Sequence, residues 1–177
     1  MPRAILAVLV PVLFALLAWL VIGPHHRAFP WVFSAGVFGI LGVLGPWPET
    51  MVPRWVTSTT QRTSHRSRAL GIPAMIRALD RVGWNRALGR RDATAPGRAA
   101  LVVLRTRATQ SLAAHGVGAM LHLLVAIPAA VAGAWMSALI LVSLGVLLHL
   151  IPVAMQRYTL ARIDRVDRAI RSRRSDT

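Results

Sequence analysis

The sequence predicts an all-α polytopic membrane protein, with four transmembrane helices arranged as two hairpins and interfacial amphipathic helices beside them. Three observations point there. Of the 177 residues, 55% are hydrophobic and only 15% are charged. The apolar residues are segregated into long uncharged blocks separated by Arg-rich ones, the pattern of membrane spans alternating with water-exposed segments. Finally, the Arg residues cluster on alternate connections, as the orientation rule for such spans requires.

Residues 1–48 form the first predicted hairpin. Span 4–23 is free of charge and at about 1.5 Å per residue reaches roughly 30 Å, the thickness of a hydrocarbon core. It exceeds the apolar region of a secretory leader, and Ile22-Gly23-Pro24-His25-His26 offers no small-x-small cleavage site. After a short turn, span 28–47 carries Gly36, Gly39, Gly42 and Gly45 at three-residue spacing, which predicts close approach of another helix.

Residues 49–107 are an Arg-rich loop. Thr57 to Ser67 has no apolar period and reads as irregular. Within 72–85, Ile72, Met75, Ile76, Leu79 and Val82 make one apolar stripe, with Arg77 and Arg81 opposite. That pattern predicts a helix lying in the headgroup plane, ending or bending at Gly83. Asp92 to Gly97 is a break, with Thr94 a candidate N-cap. Residues 108–156 carry no formal charge and predict a second hairpin, turning near Ala132 to Trp135, with kinks at Pro128 and Pro152. Residues 157–177 form a basic tail that begins as an amphipathic helix through Leu160, Ile163, Val166 and Ile170.

Four spans place Arg3, the Arg of the central loop and the Arg of the tail on one side, leaving Arg27 alone on the other. The positive-inside rule puts both termini and the loop in the cytoplasm of a multi-pass cell-membrane protein. A pI of about 12 would suggest nucleic acid in a soluble protein. Here the basic residues flank spans, so the expected partners are membrane lipids and their anionic headgroups, and no nucleic acid. The absence of Cys excludes disulfides, thiolate metal sites and a Cys nucleophile.

Polar side chains inside a membrane are costly and mark candidate sites. His115 sits at the cytoplasmic mouth of the third span, and His122 lies two turns deeper on the same face. His149 falls at a depth similar to His122 in the fourth span, with Gln156 and Arg157 beyond it. Antiparallel packing would gather these residues into one pocket. A neutral His115 or His149 could then act as general base on a hydroxyl, while Arg157 holds an anionic or carbonyl group. The same rings would serve equally well to hydrogen-bond helix to helix, and Gln156-Arg157-Tyr158 reads equally as an interfacial anchor. No carboxylate lies at ligand spacing in these spans, so no metal site is expected. Gly-x-Ser-x-Gly, His-x4-Asp, P-loop and dinucleotide fingerprints are missing, and no cofactor is expected.

Three segments resemble the glycosyl-4,4'-diaponeurosporenoate acyltransferase family of carotenoid biosynthesis and its bacterial membrane relatives. They are Gly83-Trp84-Asn85, then Arg105-Thr106-Arg107-Ala108 leading to His115, and Ile151-Pro152-Val153-Ala154-Met155-Gln156-Arg157-Tyr158 with Arg162 beyond. Leu112 and His149 depart from the family pattern, which has Glu and Asn there, as do Thr159 and Leu160. The resemblance implies transfer of a fatty acyl group to a sugar hydroxyl of a membrane glycolipid or glycosylated carotenoid. It implies His115 and His149 as catalytic candidates, and Trp84, Asn85, His122, Gln156, Arg157, Tyr158 and Arg162 as substrate-binding ones. The implied partners are an acyl donor and a glycosylated lipid. The alternative from the residues alone is a non-catalytic membrane scaffold, or a protein that binds lipid or an acidic partner through its Arg-rich loop.

Overall fold

A computed structural model describes residues 2–43, 57, 67–83 and 98–175. Among the described residues all regular structure is helical: α1 (Pro2–Val21), α2 (Phe29–Val43), α3 (Ile72–Arg81), α4 (Arg98–Val131), α5 (Trp135–Gly145), a π-helical turn (Val146–Leu150) and α6 (Ile151–Ser175). The chain divides into two compact units, Met1–Met51 with Ser111–Val153, and Val52–Gln110 with Ala154–Thr177.

In the first unit, α2 buries Phe29, Phe33, Val37 and Leu41. Four-residue spacing keeps these on one face. They join Ala15 and Ala18 of α1, Leu121, Ala126 and Ala129 of α4, and Ala138 and Leu141 of α5 in one cluster. Alanines on α4 and α5 permit the close approach that small residues give helix pairs in an apolar solvent. Both turns use glycine in the left-handed region. At the α4–α5 turn, Gly133 has φ 80°, Ala134 N–H donates to Ala129 O at 2.8 Å and Gly133 N–H to Ala130 O at 3.0 Å. This double closure ends α4 where the sequence predicts a turn. Gly23, with φ 78°, ends the first helix at Val21 instead of 23.

The glycine stripe predicted on α2 is corrected in part. A Cβ on Gly36 would collide with the Phe14 ring of α1, whereas among the described residues one on Gly39 or Gly42 would meet nothing within 4 Å. Three residues turn a helix about 60° short of a full circle, so each successive glycine rotates away from α1. Gly45 lies outside the described residues.

Four spans are expected, but among the described residues two helices are long and apolar enough to cross a membrane: Ala99–Val131 and Trp135–Ser172, the latter running through the π turn. The first hairpin holds shorter apolar helices, Leu9–Val21 and Phe29–Gly42. In the two long helices only 33% and 22% of the most apolar stretches are buried, the reverse of a core helix in a soluble domain. Leu13, Leu16, Leu17 and Leu20 on α1, Leu123, Leu124 and Ile127 on α4, and Leu139 and Leu147 beyond the turn all stand exposed. So much outward apolar surface is at home in hydrocarbon.

In the second unit, α3 starts after Gly71 (φ 69°) with Pro73 in its first turn, where a missing N–H costs nothing. It buries Ile72 and exposes Arg77 and Arg81, as the stripe predicts, whereas Val82 at the stripe's end stands exposed. It stops at Arg81 and not at Asn85, because Gly83 turns left-handed at φ 77° and Val82 N–H closes the helix on Ala78 O. Helix α4 begins at Arg98, well before the span predicted from 108, since neither Gly nor Pro interrupts Arg98 to Arg107. Arg105 pairs with Asp164 of α6, and α6 buries Leu160, Ala161 and Ile163. The predicted tail helix is therefore continuous with the last apolar segment. The candidate cap Thr94, the break at 92–97 and the end of the second span lie outside the described residues.

Candidate functional site

The first unit brings His115, His122 and His149 together. The rings of His115 and His149 are 5.5 Å apart between centroids, and those of His122 and His149 4.8 Å. Two phenylalanines of α2 border them: Phe33 lies edge-on to His122 at 5.1 Å, and Phe38 sits 6.4 Å from His115 and 6.2 Å from His149.

The three rings are not equivalent. His122 is 1% exposed and both its nitrogens are engaged. Nδ1 lies 2.8 Å from the Gly118 carbonyl, which can only accept, so Nδ1 donates. Nε2 lies 3.0 Å from the Ser34 hydroxyl and accepts from it. The bonding partners thus fix one neutral tautomer and tie α4 to α2. His149 is also 1% exposed. Its Nδ1 is 3.3 Å from His115 Nδ1, a bond in which one ring donates and the other accepts. Its Nε2 is buried with no hydrogen-bond partner among the described residues. His115 is half-buried.

Two glycines make this packing possible, and they do so reciprocally. A Cβ on Gly118 would overlap Cε1 and Nδ1 of the His149 ring and lie 2.8 Å from its Nε2. One on Gly145 would lie 2.9 Å from His122 Cβ and 3.3 Å from its Cγ. Each helix carries Gly-x3-His, and each glycine receives the other helix's histidine. Antiparallel neighbours with this spacing place both rings in the seam between α4 and the π turn.

The π turn aims His149. Pro152 has no N–H to give the carbonyl one turn back, and its ring crowds that carbonyl. The helix responds by widening: Ile151 N–H donates to Val146 O, five residues earlier. Such single wide turns inside an α-helix recur at functional sites. The kink predicted at Pro152 thus takes the form of a π turn carrying His149.

Gln156, Arg157, Tyr158 and Arg162 belong to the second unit. Gln156 is buried, and Arg157 is half-buried with its Nε buried and without a partner among the described residues. Trp84 and Asn85 lie outside the described residues. Among the described residues no group of three or more His, Cys, Asp or Glu is disposed to hold a metal ion. The sequence reading did not single out Ser34, Phe33, Phe38, Gly118 or Gly145. The signal for the two glycines was present in the repeated Gly-x3-His spacing.

Chemically, the site is an imidazole pair sharing one proton through Nδ1, backed by a third imidazole locked into the fold. A family model described as glycosyl-4,4'-diaponeurosporenoate acyltransferase matches residues 53–169, a span that includes His115, His122 and His149. No curated protein matches the chain, and no solved structure does.

Proposed function

The chain belongs to the glycosyl-4,4'-diaponeurosporenoate acyltransferase family, and on that premise we propose that it moves a fatty acyl group onto a sugar hydroxyl of a membrane glycolipid or glycosylated carotenoid. The observation that carries this reading is the half-buried His115 ring, hydrogen-bonded through Nδ1 to the buried imidazole of His149. A neutral imidazole whose Nδ1 donates carries its lone pair on Nε2, the form that general-base catalysis of acyl transfer requires.

In the proposed step, His115 takes the proton of the sugar hydroxyl as the oxygen attacks the carbonyl carbon of an activated acyl ester or thioester. The tetrahedral intermediate then expels the donor's alkoxide or thiolate. The imidazolium returns the proton to that leaving group, so the ring ends as it began. Gln156, Arg157, Tyr158 and Arg162 are proposed to bind polar groups of a substrate. The unpartnered Nε–H of Arg157 is suited to a carbonyl or anionic oxygen. Trp84 and Asn85 are assigned to substrate contact by the resemblance alone.

The proposal places the chain in the cell membrane with four spans and both termini in the cytoplasm, its Arg-rich segments against anionic headgroups. Reporter fusions at the two ends check this orientation, and opposite compartments would overturn it.

The activity is tested by comparing lipid extracts of a deletion strain complemented with the intact protein, His115→Ala or Arg157→Ala. Acylated glycolipids should disappear in the first variant and fall in the second. Unchanged acylated lipids in both, at normal protein level, would leave a non-catalytic lipid-binding or scaffolding role.

A further inference from the structure

We propose that Phe38 is a specificity-determining residue of the acyl-transfer site, whose ring limits how much bulk a substrate can carry beside its acyl carbonyl. The inference deepens the acyl-transfer reading and rests on it. Helix α2 lies outside the residues 53–169 that the family model matches, so Phe38 enters the site through the fold alone.

Helix α2 presents two phenylalanines to the imidazoles, and they differ in kind. Phe33 is fully buried and stands edge-on to His122 at 5.1 Å, a close T-shaped contact of the kind that packs a core. Phe38 lies five residues on, about 140° past a full turn of the helix, which carries it from the middle of the buried face to its margin. There it meets the other two rings, 6.4 Å from His115 and 6.2 Å from His149, tilted by 43° and 51°. These separations are near the long end of the range for ring contacts, about 4.5–7 Å. Phe38 is also 42% exposed. A ring that only sealed the seam would be buried as Phe33 is. Phe38 borders both imidazoles and still turns part of its surface outward, where a hydrocarbon chain can lie against it.

The reaction puts a short tether between the base and the acyl chain. The base takes the hydroxyl proton across about 2.6–3.2 Å, and the attacking oxygen approaches the acyl carbon to about 3–3.5 Å. The carbonyl carbon therefore lies within about 7 Å of the accepting nitrogen, the same scale as the distance from Phe38 to either ring. Bulk on the first carbons of the chain falls within reach of Phe38, and bulk at the far end does not. The placement holds for either catalytic candidate, because Phe38 is almost equally distant from both.

The test uses the full chain in a deletion strain, carrying intact protein, Phe38→Ala or Phe38→Trp. Cells are fed dodecanoic acid together with two methyl-branched forms, one branched next to the carboxyl and one near the chain end. Mass spectrometry gives the ratio of each branched acyl group to the straight one on the acylated glycolipid, divided by the same ratio in the cell's phospholipids. Phe38→Ala should raise the near-branched ratio about tenfold to 200-fold, the range that one methylene commands in a fitted apolar pocket. Phe38→Trp should lower it. The far-branched ratio should stay as it is in both variants, which a general loosening of the helices would not allow.

An unchanged near-branched ratio in both variants, or an equal change in the far-branched one, overturns the inference and leaves acyl transfer standing. Loss of folding in both variants would also overturn it, since Phe38 would then be a packing residue like Phe33. No acylated glycolipid even with intact protein would remove the acyl-transfer reading, and the specificity role with it.

Discussion

Adding one methyl group at Gly118 probes the seam most directly. The new Cβ would stand 2.8 Å from His149 Nε2, and Cε1 and Nδ1 of the ring would be nearer still. Carbon contacts are comfortable only from about 3.5 Å, so the ring has to retreat by more than about 0.7 Å. The retreat falls on Nδ1, whose 3.3 Å bond to His115 is already long for a hydrogen bond. Overpacking of this kind costs about 1–3 kcal/mol, and the lost bond adds about 1 kcal/mol. Replacing a helical glycine returns roughly 0.5–1 kcal/mol. Gly118→Ala should therefore destabilise by about 1–3 kcal/mol. Gly116, on the same turn, is the control, because among the described residues a Cβ there meets nothing within 4 Å; Gly116→Ala should be neutral or gain the helical term. Reversible unfolding of both variants in mild detergent measures the difference. Equal stability, with the His115 tautomer unchanged in Gly118→Ala, would show that the two rings are not locked by this notch.

Four further outcomes follow from the same contacts. Ser34→Ala leaves His122 Nε2 a buried acceptor without a donor, which should cost about 1–3 kcal/mol in the unfolding midpoint, while Ser34→Thr keeps the hydroxyl and most of the stability. Pro152→Ala restores the missing N–H, so the π turn should relax to a regular helix and rotate His149 by about one residue's turn, roughly 100°; the His115 and His149 imidazole signals should both change. Leu124→Arg, at a residue 59% exposed, should cost about 2.5–3.5 kcal/mol of insertion if that surface faces lipid, whereas Val166→Arg on the basic α6 should be tolerated; equal recovery from alkali-washed membranes would argue against lipid at Leu124. Arg105→Asp should lose about 0.2–1 kcal/mol through repulsion with Asp164, and the exchanged pair Arg105→Asp with Asp164→Arg should recover it in a double-mutant cycle.

Much of the fold was legible because hydrocarbon imposes its pattern on sequence. The uncharged block from Ala108 to Gln156 announced two helices and a turn, and the structure turns at Gly133. The stripe from Ile72 to Val82 announced α3. Boundaries were less legible, because charge marks where water begins and not where a helix does: α4 runs from Arg98 through three arginines before its apolar part begins. The glycine stripe of α2 misled for a rotational reason, since regular spacing along the sequence does not keep residues on one face unless it matches the helical repeat. At the site, depth arithmetic paired His122 with His149, and they meet. Arithmetic could not find Ser34, whose hydroxyl reaches His122 from a helix distant in sequence. Nor could it foresee that a proline after the site would widen the helix and aim His149.

The contrast between two buried histidines argues for more than packing. If the rings served only to join helices, each should be satisfied, because an unmade hydrogen bond in a dry seam costs about 1–3 kcal/mol. His122 meets that expectation at both nitrogens. His149, equally buried and a few ångströms away, meets it at one. An apolar side chain would avoid the cost at 149; the imidazole adds a hydrogen bond to His115 beside its ring contacts with Phe38 and His122. What that contact gives, and what leucine or methionine could not, is a hydrogen bond to a half-buried ring. The proposed acyl transfer, which takes a proton from a hydroxyl, would draw on that hydrogen bond.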